Sequence, residues 1–170
     1  MFTISNLISS LRLFLIPPLV ISIINQNMRL ALILIIIAYL SDIADGLLAR
    51  LLNQESELGK VIDPLTDKLI LIAVLLSLVI IDRFPFWALI ILSVREAIVI
   101  SAGIYLLSTR RRVIPASWFG KVAGWVIGAM VIIYIVNFKP LLRVSLYAAI
   151  ALMALSLIKY SQDFTTTLRG

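Results

Sequence analysis

The chain has 170 residues, 62% of them hydrophobic, with a mean hydropathy of +1.10 and a formal net charge of +6. A soluble domain of this size does not carry that much apolar surface, so the composition predicts a polytopic, all-α membrane protein. The absence of cysteine and histidine excludes disulfide stapling, thiolate nucleophiles, histidine bases and zinc sites built on those ligands. Acid–base chemistry therefore falls to carboxylates, lysine, tyrosine or bound water. The positive charge reads as membrane topology and attraction to anionic lipid, since no aromatic residues interleave with the basic ones as in a nucleic-acid-binding surface.

In chain order, Met1 to Ser10 mixes apolar and hydroxyl residues and is expected to begin as an interfacial helix. No basic segment precedes the first apolar run and no cleavage site is visible, so no removable signal peptide is expected. That first run, about Ile8 to Ile24, is long enough to span a bilayer, with a kink expected at Pro17-Pro18 and Arg12 snorkelling from its first turns. Asn25-Gln26-Asn27 makes a short loop before a second span from about Leu30 to Ala49. A third runs from about Gly59 to Ile80, followed by the turn Asp82-Arg83-Phe84-Pro85.

The fourth span, about Trp87 to Leu107, carries Arg95-Glu96 near its middle. Adjacent helical residues do not face one another, so each of the two is expected to find a separate polar partner, with a phosphate or an acidic cluster the candidate for Arg95. Thr109 to Pro115 reads as a loop bearing Arg110, Arg111 and Arg112. The fifth span, about Trp118 to Ile135, presents Gly120, Gly124 and Gly128 at the spacing of a close helix–helix packing face. After Asn137 to Pro140, a sixth span from about Leu142 to Ile158 leads into a polar tail. Six spans place both termini on one side. The inner loops and tail then hold Arg50, Lys60, Arg110, Arg111, Arg112, Lys159 and Arg169, the outer loops only Arg29, Arg83, Lys139 and Arg143. This bias puts the segment between the second and third spans at the cytoplasmic face. No second domain or linker interrupts residues 1–170.

That segment carries the chemistry. Asp42 and Asp45 stand three residues apart at the end of one apolar run, and Asp63 and Asp67 four apart at the start of the next. On helices each pair shares a face, and a hairpin gathers all four. Four clustered carboxylates repel and are costly to desolvate unless a cation neutralises them. Hard oxygen ligands with room for water suit Mg²⁺ or Mn²⁺. A lone Asp at a helix end is usually a cap, and Asp63 before Pro64 fits that role too, but paired carboxylates beside membrane-length segments point to function. A divalent-cation carrier would use the same groups, but it predicts carboxylates spread along a path through the bilayer, whereas these gather at one end of two spans.

The full pattern is D-x2-D-G-x2-A-R-x8-G-x3-D-x3-D, filled by Asp42, Asp45, Gly46, Ala49, Arg50, Gly59, Asp63 and Asp67. It resembles the signature of the CDP-alcohol phosphatidyltransferases, and eight fixed residues at fixed spacing make the resemblance specific. Asn6 to Pro17, Arg95-Glu96 and Gly120-Lys121 resemble segments of the phosphatidylglycerophosphate synthase and cardiolipin synthase branches. The resemblance implies a single catalytic unit in a prokaryotic plasma membrane. Such a unit moves a phosphatidyl group from CDP-diacylglycerol to an alcohol and releases CMP. It implies Asp42, Asp45, Asp63 and Asp67 as metal ligands and Asp67 also as general base. For CDP it implies Asp42, Gly46, Ala49, Arg50 and Gly59, and for the quaternary state a homodimer. Arg95, Arg110, Arg111, Arg112 and Lys121 are the candidates for the acceptor, best read as glycerol 3-phosphate. Phosphatidylglycerol and inositol phosphate are the alternatives. Gly103-Ile104-Tyr105 replaces the second Arg-Glu pair common in the first branch, and Gly124 stands near its usual threonine.

Overall fold

The structure is a computed structural model that describes residues 13–51, 59–110 and 118–169, leaving aside the side chains of 42–51, 59–65, 106–110, 119, 163 and 166–169. Its described residues form six α-helices in this order: α1 (Ile16–Ile24), α2 (Met28–Leu51), α3 (Gly59–Ile80), α4 (Phe86–Arg110), α5 (Trp118–Val136) and α6 (Lys139–Arg169). No strand occurs among them. The interfacial helix expected before Ser10, and Arg12 with it, lie outside the described residues. Two helices, over Phe86–Tyr105 and Lys139–Gln162, are long and apolar enough to cross a membrane, while Met28–Ser41 and Gly120–Val136 are shorter apolar stretches.

Three turns close by the same device. Gln26 and Asp82, two residues past the ends of α1 and α3, and Asn137, one past the end of α5, take φ of 57°, 55° and 57°, a left-handed conformation. At the first, the Gln26 N–H donates to Ile23 O at 2.9 Å and the Asn27 N–H to Ser22 O at 2.8 Å. At the second, Asp82 donates to Val79 O at 3.0 Å and Arg83 to Leu78 O at 2.9 Å. At the third, Asn137 donates to Tyr134 O at 3.2 Å and Phe138 to Ile133 O at 3.1 Å. This paired pattern satisfies carbonyls that a helix end leaves open, and it reverses the chain within a few residues. Asn27 then caps the next helix, its Oδ1 accepting from the Leu30 N–H at 3.2 Å.

Two boundaries differ from the sequence expectation, and a third lies at the edge of the described residues. Pro17 and Pro18 occupy the first turn of α1, where a missing N–H costs nothing, directly after a turn at 14–15 that follows helical Leu13. Thr109 and Arg110 continue α4 and do not open a loop, because no breaker occurs before Pro115. The polar tail extends α6 to Arg169, since residues 159–169 contain neither proline nor glycine.

The chain divides into two compact units, Met1–Phe84 and Pro85–Gly170. In the first, α1 packs against both α2 and α3. Leu19 and Ile23 of α1, Ala31 and Ala38 of α2, and Val74, Leu75 and Leu78 of α3 form its core. The alanines on α2 leave room for the bulkier side chains of the other two helices. In the second, α5 and α6 form a hairpin, and α4 also packs on α6. Ala123, Ile127, Met130 and Tyr134 recur on one face of α5, and Leu146, Ala149, Met153 and Ser156 on one face of α6.

Candidate functional site

The two acidic pairs fall where helix geometry is required of them. Asp42 and Asp45 are both within α2, and Asp63 and Asp67 are both within α3, so spacings of three and four residues become same-face positions. Gly46, Ala49 and Arg50 continue along α2, and Gly59 is the first residue of α3. Asp67 is exposed, next to Thr66, which is buried in the first unit at 2% exposure. The side chains of Asp42, Asp45, Gly46, Ala49, Arg50, Gly59 and Asp63 lie outside the described residues, as does the 52–58 segment joining the two helices.

In the second unit, α4 and α6 run parallel, joined by partners that keep one offset. Arg95 meets Ser156, and Tyr160 reaches toward Val99 O at 3.5 Å, both 61 residues apart in sequence. The Arg95 guanidinium donates from Nη1 to Glu96 Oε1 at 2.7 Å and from Nη2 to Ser156 Oγ at 2.9 Å. The two charged side chains are 14% and 3% exposed. Here the structure corrects the expectation that Arg95 and Glu96 would not meet: they pair with each other, while Arg95 also finds a separate polar partner in Ser156. Their Cβ atoms diverge, but the long arginine stem lets the guanidinium fold back to its neighbour, and a mutual pair is the cheapest way to bury both charges. Ser156, whose role the sequence did not expose, completes the arrangement.

Beside Arg95 the two helices leave an open groove of about 400 Å³, walled by Ile91, Val94 and Ile98 of α4 and Met153, Ala154 and Leu157 of α6. Arg95 is the charged residue on that wall. Lys121, near the start of α5, is exposed. The helix places Arg110 at the end of α4, with its side chain outside the described residues, and Arg111 and Arg112 also lie outside them. At Gly124 and Gly128 of α5 the expected close packing finds no neighbour among the described residues: a Cβ at either would meet no atom of theirs within 4 Å. At Gly103 it would meet, among the described residues, the Tyr160 hydroxyl at 3.7 Å, an ordinary contact distance.

A family model described as CDP-alcohol phosphatidyltransferase matches residues 2–158, nearly the whole chain and part of both units. The chain belongs to the CDP-alcohol phosphatidyltransferase family. Among curated members of that family, a Bacillus subtilis CDP-diacylglycerol–glycerol-3-phosphate 3-phosphatidyltransferase is 41% identical over 93 residues, covering 55% of this chain and 48% of the relative. The Aquifex aeolicus protein of the same name is 35% identical over 119 residues, 68% of this chain and 66% of its own. The CMP-forming cardiolipin synthase of Homo sapiens is 35% identical over 115 residues, 67% of this chain and 37% of its own. The chain also covers 62% of a mycobacterial relative, at 32% identity, so it spans between about a third and two thirds of the length of these phosphatidyltransferase-family proteins.

Proposed function

We propose that the protein transfers a phosphatidyl group from CDP-diacylglycerol to the hydroxyl of glycerol 3-phosphate, releasing CMP. The observation that carries this reading is the set of eight motif residues held on two helices, with each aspartate pair in same-face register. In this reading residues 1–170 form one catalytic domain of six membrane spans. It works as a homodimer in a prokaryotic plasma membrane, with the motif at the cytoplasmic face where CDP-activated lipid is made.

The donor set of Asp42, Asp45, Asp63 and Asp67 is all hard carboxylate oxygen, which fits Mg²⁺ or Mn²⁺. A divalent ion held there supplies charge neutralisation at the pyrophosphate and makes CMP a better leaving group. Arg50 adds a fixed positive charge for the CDP phosphates, and Gly46 and Ala49, with Gly59, keep the floor beneath the nucleotide low. The acceptor oxygen attacks the lipid-bearing phosphorus. The bond from that phosphorus to the CMP phosphate oxygen breaks as the new ester forms, and the acceptor proton passes to Asp67. A carboxylate close to a cation is a weak base, so Asp67 accepts the proton late, as the attacking oxygen becomes acidic. Arg95 and Lys121, with Arg110, Arg111 and Arg112, supply the positive charge that a phosphorylated acceptor needs.

A lipid acceptor such as phosphatidylglycerol is the second reading, favoured by the cardiolipin synthase among the relatives and by Gly103 in place of an arginine. The catalytic assignment is tested by Asp67→Asn, which keeps the shape and one acceptor oxygen but cannot take a proton at useful pH. CDP-diacylglycerol binding should survive while turnover falls by orders of magnitude. Near-normal turnover would remove Asp67 as the base.

A further inference from the structure

Ser156 sits on the buried face of α6, 2% exposed, in line with Leu146, Ala149 and Met153. A hydroxyl among such neighbours is costly unless it is bonded, and this one accepts from Arg95 Nη2 at 2.9 Å. A guanidinium is a rigid plane with five N–H donors, so fixing two of its nitrogens fixes the third. Glu96 on Nη1 alone leaves the plane able to swing about that contact. Ser156, reaching across from another helix, removes that freedom. The remaining nitrogen, Nε, is buried and has no hydrogen-bond partner among the described residues. An arginine held by two anchors beside an open groove, with its buried Nε–H unsatisfied, is set to receive an anionic oxygen.

We propose that Ser156 is a positioning residue for the acceptor phosphate: with Glu96 it orients Arg95 so that the Nε–H meets a phosphate oxygen. The inference rests on the reading of Arg95 as an acceptor contact and names what makes that contact specific. Lysine in place of Arg95 keeps a positive charge for Glu96 but loses the fork that Ser156 orients.

The test uses the full-length protein in detergent–lipid micelles, with CMP release measured against glycerol 3-phosphate and, separately, against CDP-diacylglycerol. Ser156→Ala should raise the KM for glycerol 3-phosphate by about tenfold, the scale of one charge-assisted hydrogen bond, and leave kcat and the KM for CDP-diacylglycerol nearly unchanged. Ser156→Thr should keep the wild-type KM, whereas Ser156→Val, matched to Thr in shape, should behave as Ala does. This pair isolates the hydroxyl from any packing defect. In an Arg95→Lys background, itself raised in acceptor KM, Ser156→Ala should add no further rise. A rise that adds in full in that background, a rise confined to CDP-diacylglycerol, or equal behaviour of Thr and Val would overturn the positioning role. If Arg95→Lys raises the acceptor KM and Ser156→Ala does not, the positioning role fails and the reading of Arg95 stands. If Arg95→Lys itself leaves the acceptor KM unchanged, both fail.

Discussion

Removing Glu96 alone should damage this protein more than removing Glu96 together with its partner. The Arg95–Glu96 contact is 2.7 Å, and the two side chains are 14% and 3% exposed. At an effective dielectric of about 20, unit charges at that separation attract by roughly 6 kcal/mol, and taking both ions from water costs several kcal/mol each. The pair is therefore close to neutral in net stability. Glu96→Ala removes the attraction and leaves the desolvation of Arg95 in place, a loss of about 3–5 kcal/mol. Arg95→Met combined with Glu96→Leu removes both terms and adds apolar packing but leaves the buried Ser156 hydroxyl unbonded, so it should lie within about 1–3 kcal/mol of wild type and above Glu96→Ala. Denaturant unfolding in mixed micelles, followed by the fluorescence of Trp87, Trp118 and Trp125, all in the same unit, reads the difference. Glu96→Ala as stable as wild type, or a double variant as damaged as the single, would refute the reasoning.

Gln26 is exposed and held at φ 57°, a conformation that costs an L residue about 1 kcal/mol relative to glycine. Gln26→Gly should raise unfolding stability by that amount, and Gln26→Val, β-branched, should lower it by more; the same unfolding assay checks both. Asp42→Asn and Asp63→Asn should each lower CMP release by several orders of magnitude, and exhaustive chelation should do the same reversibly, with Mg²⁺ or Mn²⁺ restoring it. Full activity after chelation would remove the metal from the account.

Much of this was legible in the chain itself. Helix order and the three sharp turns followed from apolar runs broken at Asn25-Gln26-Asn27, Asp82–Pro85 and Asn137–Pro140; Asp82 and Asn137 are short polar residues that tolerate the left-handed conformation, and Gln26 adopts it at a cost. The acidic motif was readable because its residues lie within one short stretch, and helical periodicity converts spacing directly into a shared face. Ser156 was not readable, because its partner is 61 residues away on a helix whose parallel alignment no local pattern encodes. The Arg95–Glu96 pair was misjudged because a rule about backbone-borne directions does not bind a side chain long enough to fold back. Gly124 and Gly128 were read for packing from their spacing, and spacing alone does not say which helix is there to approach.

The most direct test of the account is CMP release by purified protein offered CDP-diacylglycerol with a panel of acceptors: glycerol 3-phosphate, phosphatidylglycerol and inositol phosphate. The account predicts metal-dependent CMP release that requires an acceptor, is fastest with glycerol 3-phosphate, and is lost in Asp67→Asn. Folded protein that binds CDP-diacylglycerol yet releases no CMP with any acceptor would contradict it.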